Sequence, residues 1–257
     1  MPYASDVATL HTKIDSLQAA GNTAGHVGMK WGLSLLDPKF QSVVDSLILD
    51  VDVSAGLTRL PVAYNDADTT KIIVMMGDGA NTTEFRLGNT YGTGQSYLME
   101  ITRSTGAPLH FLRASNGLQF FDIENNQWIT GTAINLLNTT LSGFQGVRRL
   151  DLPEAWGHMS TTYCRQVMND TGPNNDFLGG TARNGWEANP LMSDSCDAAA
   201  DKGVTVYTIG FEMNESAKDE LRDCASSVSH FYDANGTQIS EVFSAIATSI
   251  LKLKLTQ

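Results

Sequence analysis

The sequence predicts an α/β protein whose doubly wound, mostly parallel sheet is covered by helices on both faces, with a β-rich insertion. Three observations carry this. The run from Ile72 to Met76 is continuously apolar and ends in Gly77-Asp78-Gly79, the pattern of a strand buried on both faces that delivers a carboxylate to a loop. The segment VTVYTIGF at 204–211 is a second strand, entered from one helical pattern and followed by another. Between them lies a Gly- and Asn-rich stretch of short apolar segments separated by turn residues. Strands separated by helices build a doubly wound sheet, and ligands of such sheets sit beyond the carboxyl ends of the strands. Asp78 is therefore a candidate handler of metal or phosphate.

The elements follow in order. Leu10, Ile14 and Leu17 recur on one face of a helix over 6–18. The opening MPYASDVATLHTKI enters that helix with no strand before it, which leads us to expect further sequence upstream. A loop at 19–23 precedes a second helix, marked by Val27, Trp31 and Leu35, that ends near Asp37-Pro38 because proline disfavours helix in the residue before it. Leu47 to Val53 reads as a short strand and Asp66 to Thr70 as a turn before the strong strand. In the insertion, Asn116-Gly117 is a hairpin signal that pairs 108–113 with 118–123. Residues 153–169 read as helical and 170–190 as a surface loop. The tail alternates helix 191–202, strand 204–211, helix 216–224, short strand 230–232, a turn at Asn235-Gly236, and a helix from Ser240 with Val242, Phe243, Ile246 and Ile250 on one face. The resulting domain plan is 1–82, an insertion at 83–150, and 151–257.

At 257 residues the chain can bury a sizeable core. Its formal net charge of −11 repels a nucleic-acid backbone, and the densest basic stretches, Arg148-Arg149 and Lys252 with Lys254, are too sparse to offset that. No segment approaches the roughly 18 apolar residues of a membrane-spanning helix. Cys164, Cys196 and Cys224 have no zinc spacing. Cys196 precedes a helix-to-strand step and Cys224 follows the next helix, which makes them the candidate disulfide pair in an oxidising compartment; three unpaired buried thiols are the other reading. The histidines His11, His26, His110, His158 and His230 stand apart, without D-x-H or H-x-x-x-H spacing. His26 and Trp31 read as packing residues and Glu84 as a solvated loop residue. Phe120-Phe121 and Trp128 read as a satellite core or an exposed recognition surface.

Three separated pieces, GNTAGHVGMKWGLSLLDP, KIIVMMGDGANT and the tail from CDAAADKGVTVYTIGFE to LKLTQ, resemble the C-terminal von Willebrand factor A (vWA) region of TadG-like tight-adherence (Flp) pilus-assembly proteins. The resemblance covers about half the chain and is weak across 83–150. It implies a vWA-like fold with a metal-ion-dependent adhesion site, in which Thr23 matches the family's threonine and Asp78 its aspartate. On the residues alone, Thr23 is equally a helix N-cap and Asp78 a turn aspartate. The family's Asp-x-Ser-x-Ser loop does not precede Thr23. Asp52-Val53-Ser54 supplies only its first half and lies after Thr23, the wrong chain order. The domain would thus lack its N-terminal first strand, together with the loop and membrane anchor that the family keeps upstream. Such a sheet leaves unpaired strand edges and an exposed apolar face.

The resemblance further implies Mg²⁺, or Mn²⁺ or Ca²⁺, held by oxygen ligands with a position open for a partner's acidic side chain. Pilus-assembly components are the implied partners, at the periplasmic or extracellular face of a bacterial cell envelope, without catalysis. Two other functions stand beside this one. A degenerate site would leave a metal-free scaffold acting through its insertion. IIVMMGDG also resembles the metal-binding opening of alkaline-phosphatase-like hydrolases, which need several converging Asp and His ligands. No G-x-S-x-G elbow, Walker loop, H-E-x-x-H or dinucleotide fingerprint occurs.

Overall fold

The computed structural model describes residues 3–4, 6–18, 22–50, 52–84, 87, 91–114, 118–131, 143–167 and 184–255. Helices α1 (Val7–Asp15), α2 (Gly25–Leu36) and α3 (Gln41–Leu49) precede strand β1 (Ile72–Gly77). Then come β2 (Gln95–Arg103), β3 (Leu109–Arg113), β4 (Gln119–Asp122), β5 (Gln127–Thr130), β6 (Phe144–Asp151), α4 (Leu152–His158) and α5 (Thr161–Val167). The chain ends with α6 (Gly185–Asp201), β7 (Thr205–Phe211), α7 (Glu215–Cys224), β8 (Phe231–Ala234) and α8 (Ile239–Leu255). Two compact units result: Met1–Glu84 with Arg183–Gln257, and Phe85–Ala182. No helix among the described residues is long and apolar enough to cross a membrane.

The first unit is built on a parallel three-stranded sheet in the order β1-β7-β8. The two-residue period of β7 sends Val206 to a core formed with Met29 of α2, Met192 and Ala199 of α6, and Leu221 of α7. It sends Tyr207 and Ile209 the other way, onto Val242 and Ile246 of α8. Both faces are thus covered, as continuous apolar strands require. Thr208 lies buried on the first face because its hydroxyl donates to the Leu221 carbonyl (2.7 Å). A disulfide joins Cys196 of α6 to Cys224 of α7, with Cα atoms 5.2 Å apart, while Cys164 is a buried free thiol. β1 pairs with β7 on one edge and with no strand on the other among the described residues. Val74 and Met76 on that strand are 41% and 54% exposed.

Two local expectations are corrected. Leu47–Val53 is not a strand: Leu47 to Leu49 close α3, because Val44, Leu47 and Ile48 recur at three and four residues and face inward together. The helix expected from 191 begins six residues earlier at Gly185, where Asn184 and Glu187 form a capping box.

The second unit is a five-stranded antiparallel sheet in the order β5-β4-β3-β2-β6. The expected pairing of 108–113 with 118–123 is the β3–β4 pair; its turn at Asn116-Gly117 lies outside the described residues. One face carries Leu98, Leu112, Phe121 and Leu150 under Ala155 of α4, Met159 and Cys164 of α5. The other carries Ile101, Phe111 and Phe120. Phe120 and Phe121 are buried core, whereas Trp128 meets Phe121 edge-on (5.4 Å) and is itself 43% exposed. Since α4 and α5 pack on this sheet, the compact unit extends to Ala182, beyond the 150 at which the insertion was drawn from the sequence.

Candidate functional site

The first unit gathers its polar groups at the carboxyl end of β1. Asp78 follows the strand and stands exposed, and no hydrogen bond or ion pair engages its carboxylate among the described residues. The loop it opens is latched to the loop that carries Thr23. Thr82 N donates to the Thr23 carbonyl (2.8 Å), Thr23 N donates to Thr82 Oγ1 (2.9 Å), and the Asn22 amide donates to the Thr83 carbonyl (2.8 Å). Thr23 does not act as the side-chain cap of α2. Ala24 occupies the cap position, and Asn81 Oδ1 accepts from Gly25 N (2.7 Å) in its place.

Asn81 is the hub. Its amide donates to Asn189 Oδ1 (2.9 Å) and to Glu220 Oε2 (3.4 Å), and Asn189 donates to the same carboxylate. Burial pushes the Glu220 carboxyl above its usual range, opposed by the Asn81 hydrogen bond. Two glycines allow this approach. A Cβ on Gly25 would lie 3.0 Å from Met75 Cε and 3.1 Å from Asn81 Oδ1, and one on Gly185 would collide with the Asn81 carbonyl. The amino ends of α2 and α6 therefore both face Asn81 and bring their positive dipole ends to the strand terminus. A groove of about 320 Å³ lined by Trp186, Asn189, Met192, Glu220 and Asp223 opens alongside.

His26 is buried, as a packing residue should be, but Glu84 differs from expectation. Glu84 is not a solvated loop side chain: it is 13% exposed and lies 2.8 Å from Nε2 of buried His26. Placing a histidine at the second position of α2 beside the latched loop creates the pair, which distance in sequence concealed. Trp31, expected in the packing, is 57% exposed and touches Phe40 edge-on (6.5 Å).

The second unit holds a group that sequence spacing did not announce. Strand register sets Glu100 directly opposite His110 on β3 and Arg148 on β6. Two-residue alternation puts all three on the face of Leu98, Leu112 and Leu150, at the end of the apolar patch under α4. That helix adds Glu154 and His158, four residues apart and so on one side. Arg148 Nε donates to Glu100 Oε1 (2.8 Å) and its Nη1 to Glu154 Oε1 (2.9 Å), which holds the Glu154 carboxyl below its usual range. The second Glu100 oxygen lies 3.4 Å from His110 Nε2, but this contact lacks hydrogen-bond geometry and leaves that buried nitrogen without a partner. His110 and His158 rings are 4.1 Å apart at 35°. One ligand atom from each of Glu100, His110 and His158 lies within 4.8 Å of the others. The readable signal was a charged residue at an inward position of β2, among Leu98 and Ile101.

No family model matches this chain. No curated protein is similar to it at a significant level. Among solved structures, it is similar to the vWF domain of the type V pili tip protein Mfa5 from Porphyromonas gingivalis, with 14% identity and a TM-score of 0.42, covering 95% of this chain and 73% of that one. It is also similar to the pilus adhesin SpaC from Lactobacillus rhamnosus GG in an open conformation, with 14% identity and a TM-score of 0.39, covering 96% of this chain. The chain spans 22% of the SpaC chain.

Proposed function

We propose that this chain is a non-catalytic, vWA-like protein-binding region of the bacterial cell envelope, TadG-like in kind, serving pilus assembly or adherence at the periplasmic or extracellular face. The observation that carries the reading is the latch between the Thr23 loop and the loop after β1. It sets Asp78, exposed and unengaged, at the carboxyl end of a parallel strand, beside two helix amino ends. The Cys196–Cys224 disulfide suits an oxidising compartment.

The donor set agrees with a weakly held hard cation. Thr23 offers a hydroxyl and Asp78 a carboxylate, and Mg²⁺ characteristically keeps several waters while taking one or two protein carboxylates. Mg²⁺, or Mn²⁺ or Ca²⁺, would supply there a shared charge that an acidic side chain of a protein partner completes. Asn81, Thr82 and Asn22 position the two loops, with Asn81 engaged by Gly25, Asn189 and Glu220, Thr82 by Thr23, and the Asn22 amide by the Thr83 carbonyl. Calorimetric titration of Mg²⁺ and Mn²⁺ tests the reading. Chelator-reversible binding that disappears in Asp78→Ala is the expected result. Absence of binding would overturn the metal role and leave a metal-free scaffold on the same fold.

A further inference from the structure

We propose that Glu100, His110 and His158 form a separate site for one divalent transition-metal ion of the zinc type, independent of the loops around Asp78. The chemistry of the donors selects the ion: two imidazoles and a carboxylate suit zinc and its neighbours, whereas Mg²⁺ and Ca²⁺ want oxygen alone. The geometry is nearly assembled. Ligands about 2.1 Å from a tetrahedral ion stand about 3.4 Å apart, and Glu100 Oε2 and His110 Nε2 are already at 3.4 Å. The His158 ligand atom lies within 4.8 Å of both. It sits on an exposed side chain at the last residue of α4, where a small rotation closes the remaining gap. A fourth, open position remains for water or an outside ligand.

The surroundings are those of a metal-binding histidine. Ligating histidines commonly present their other ring nitrogen to a carboxylate, which sets the tautomer. His110 Nδ1 is 3.3 Å from Glu124 Oε1, and Glu124 is itself anchored by accepting from His110 backbone N (3.0 Å). The proton is thereby assigned to Nδ1, and the lone pair falls on Nε2, the buried nitrogen that no hydrogen bond engages. Arg148 occupies one Glu100 oxygen and leaves the other facing His110. Glu100 and Glu154 flank the Arg148 guanidinium and Glu124 lies against His110, three carboxylates to one guanidinium, so the local charge favours a cation.

Zn²⁺ titration into the full chain, read by competition with a chromophoric chelator, tests this, with Co²⁺ as a spectroscopic substitute. One Zn²⁺ per chain is expected, unaffected by excess Mg²⁺, with the intense visible bands of low-coordinate Co²⁺. Because His158 is exposed, His158→Gln should fold normally and weaken binding at least about tenfold by removing one of three protein ligands. Glu124→Gln should weaken it about 10–100-fold through the orienting contact. Asp78→Ala should leave it unchanged. Failure to bind Zn²⁺, or binding that His158→Gln and Glu124→Gln both leave intact, would overturn the site, the latter by assigning the ion to other histidines.

Discussion

The strand terminus of the first unit and the histidine cluster of the second assemble polar groups by opposite means. Around Asp78 the groups sit on loops, and backbone amides and carbonyls do the joining. Thr23, Asn81 and Thr82 are held, while the carboxylate beyond them is exposed and unengaged. Around His110 the three donors Glu100, His110 and His158 sit on strands or at a helix end at the margin of a packed apolar face, with Glu124 joining them from the turn after β4. Loop sites present a side chain to a partner. Framework sites bring donors together with little freedom to rearrange, which is what binding a small ion requires.

Perturbations of the two regions should therefore differ in size and kind. The largest effect is expected for Leu112→Ala. This residue is fully buried on the face that carries His110, and its truncation should cost about 3 kcal/mol in denaturant unfolding and weaken Zn²⁺ binding together. A cost below about 1 kcal/mol would mean that the cluster does not depend on this core. Next, Gly185→Ala pushes a Cβ into the Asn81 carbonyl and should cost about 2 kcal/mol, with hydrogen exchange rising around 22–25 and 81–83. Asn81→Ala removes the acceptor for Gly25 N and the donor to Glu220, at about 1–2 kcal/mol.

A pH effect belongs to the first region. The Glu220 carboxyl is raised by burial above its ordinary value of 4.5, so across the interval between the unfolded and folded values the native state binds more protons than the unfolded state. Stability contributed by this group is complete below the unfolded value and is lost as pH rises through the folded one. Glu220→Gln should flatten that decline, and an unchanged profile of unfolding midpoint against pH would refute the assignment. The smallest effect is expected for Asp78→Ala, within about 0.5 kcal/mol, because nothing among the described residues engages that carboxylate. A larger loss would show that Asp78 is structural and spoil the contrast between the regions.

Much of the frame was legible along the chain. The apolar continuity of Ile72–Met76 announced a strand, though not burial on both faces, since Val74 and Met76 stay exposed, and VTVYTIGF announced its partner, because two-residue alternation and helical spacing are local signals. The Leu47–Val53 misreading shows where such signals fail: a short run rich in apolar residues satisfies both periods, and only the inward set of Val44, Leu47 and Ile48 decides. At the sites, Asp78 could be singled out because a carboxylate after a continuously apolar strand is a local pattern. The Glu84–His26 pair and the Glu100, His110 and His158 group could not, since 58 residues separate the former and β2, β3 and α4 supply the latter.

By itself, then, the sequence determined the α/β alternation, the acidic character, the loop carboxylate after β1 and the cysteines within reach of one another, all consequences of composition and short-range spacing. Tertiary structure alone decided that α4 and α5 belong with the antiparallel sheet, that Asn81 rather than Thr23 caps α2, and that two solitary histidines meet over a buried glutamate. Those outcomes depend on strand register and on the close approach permitted at Gly25 and Gly185, which exist only once distant segments are packed together.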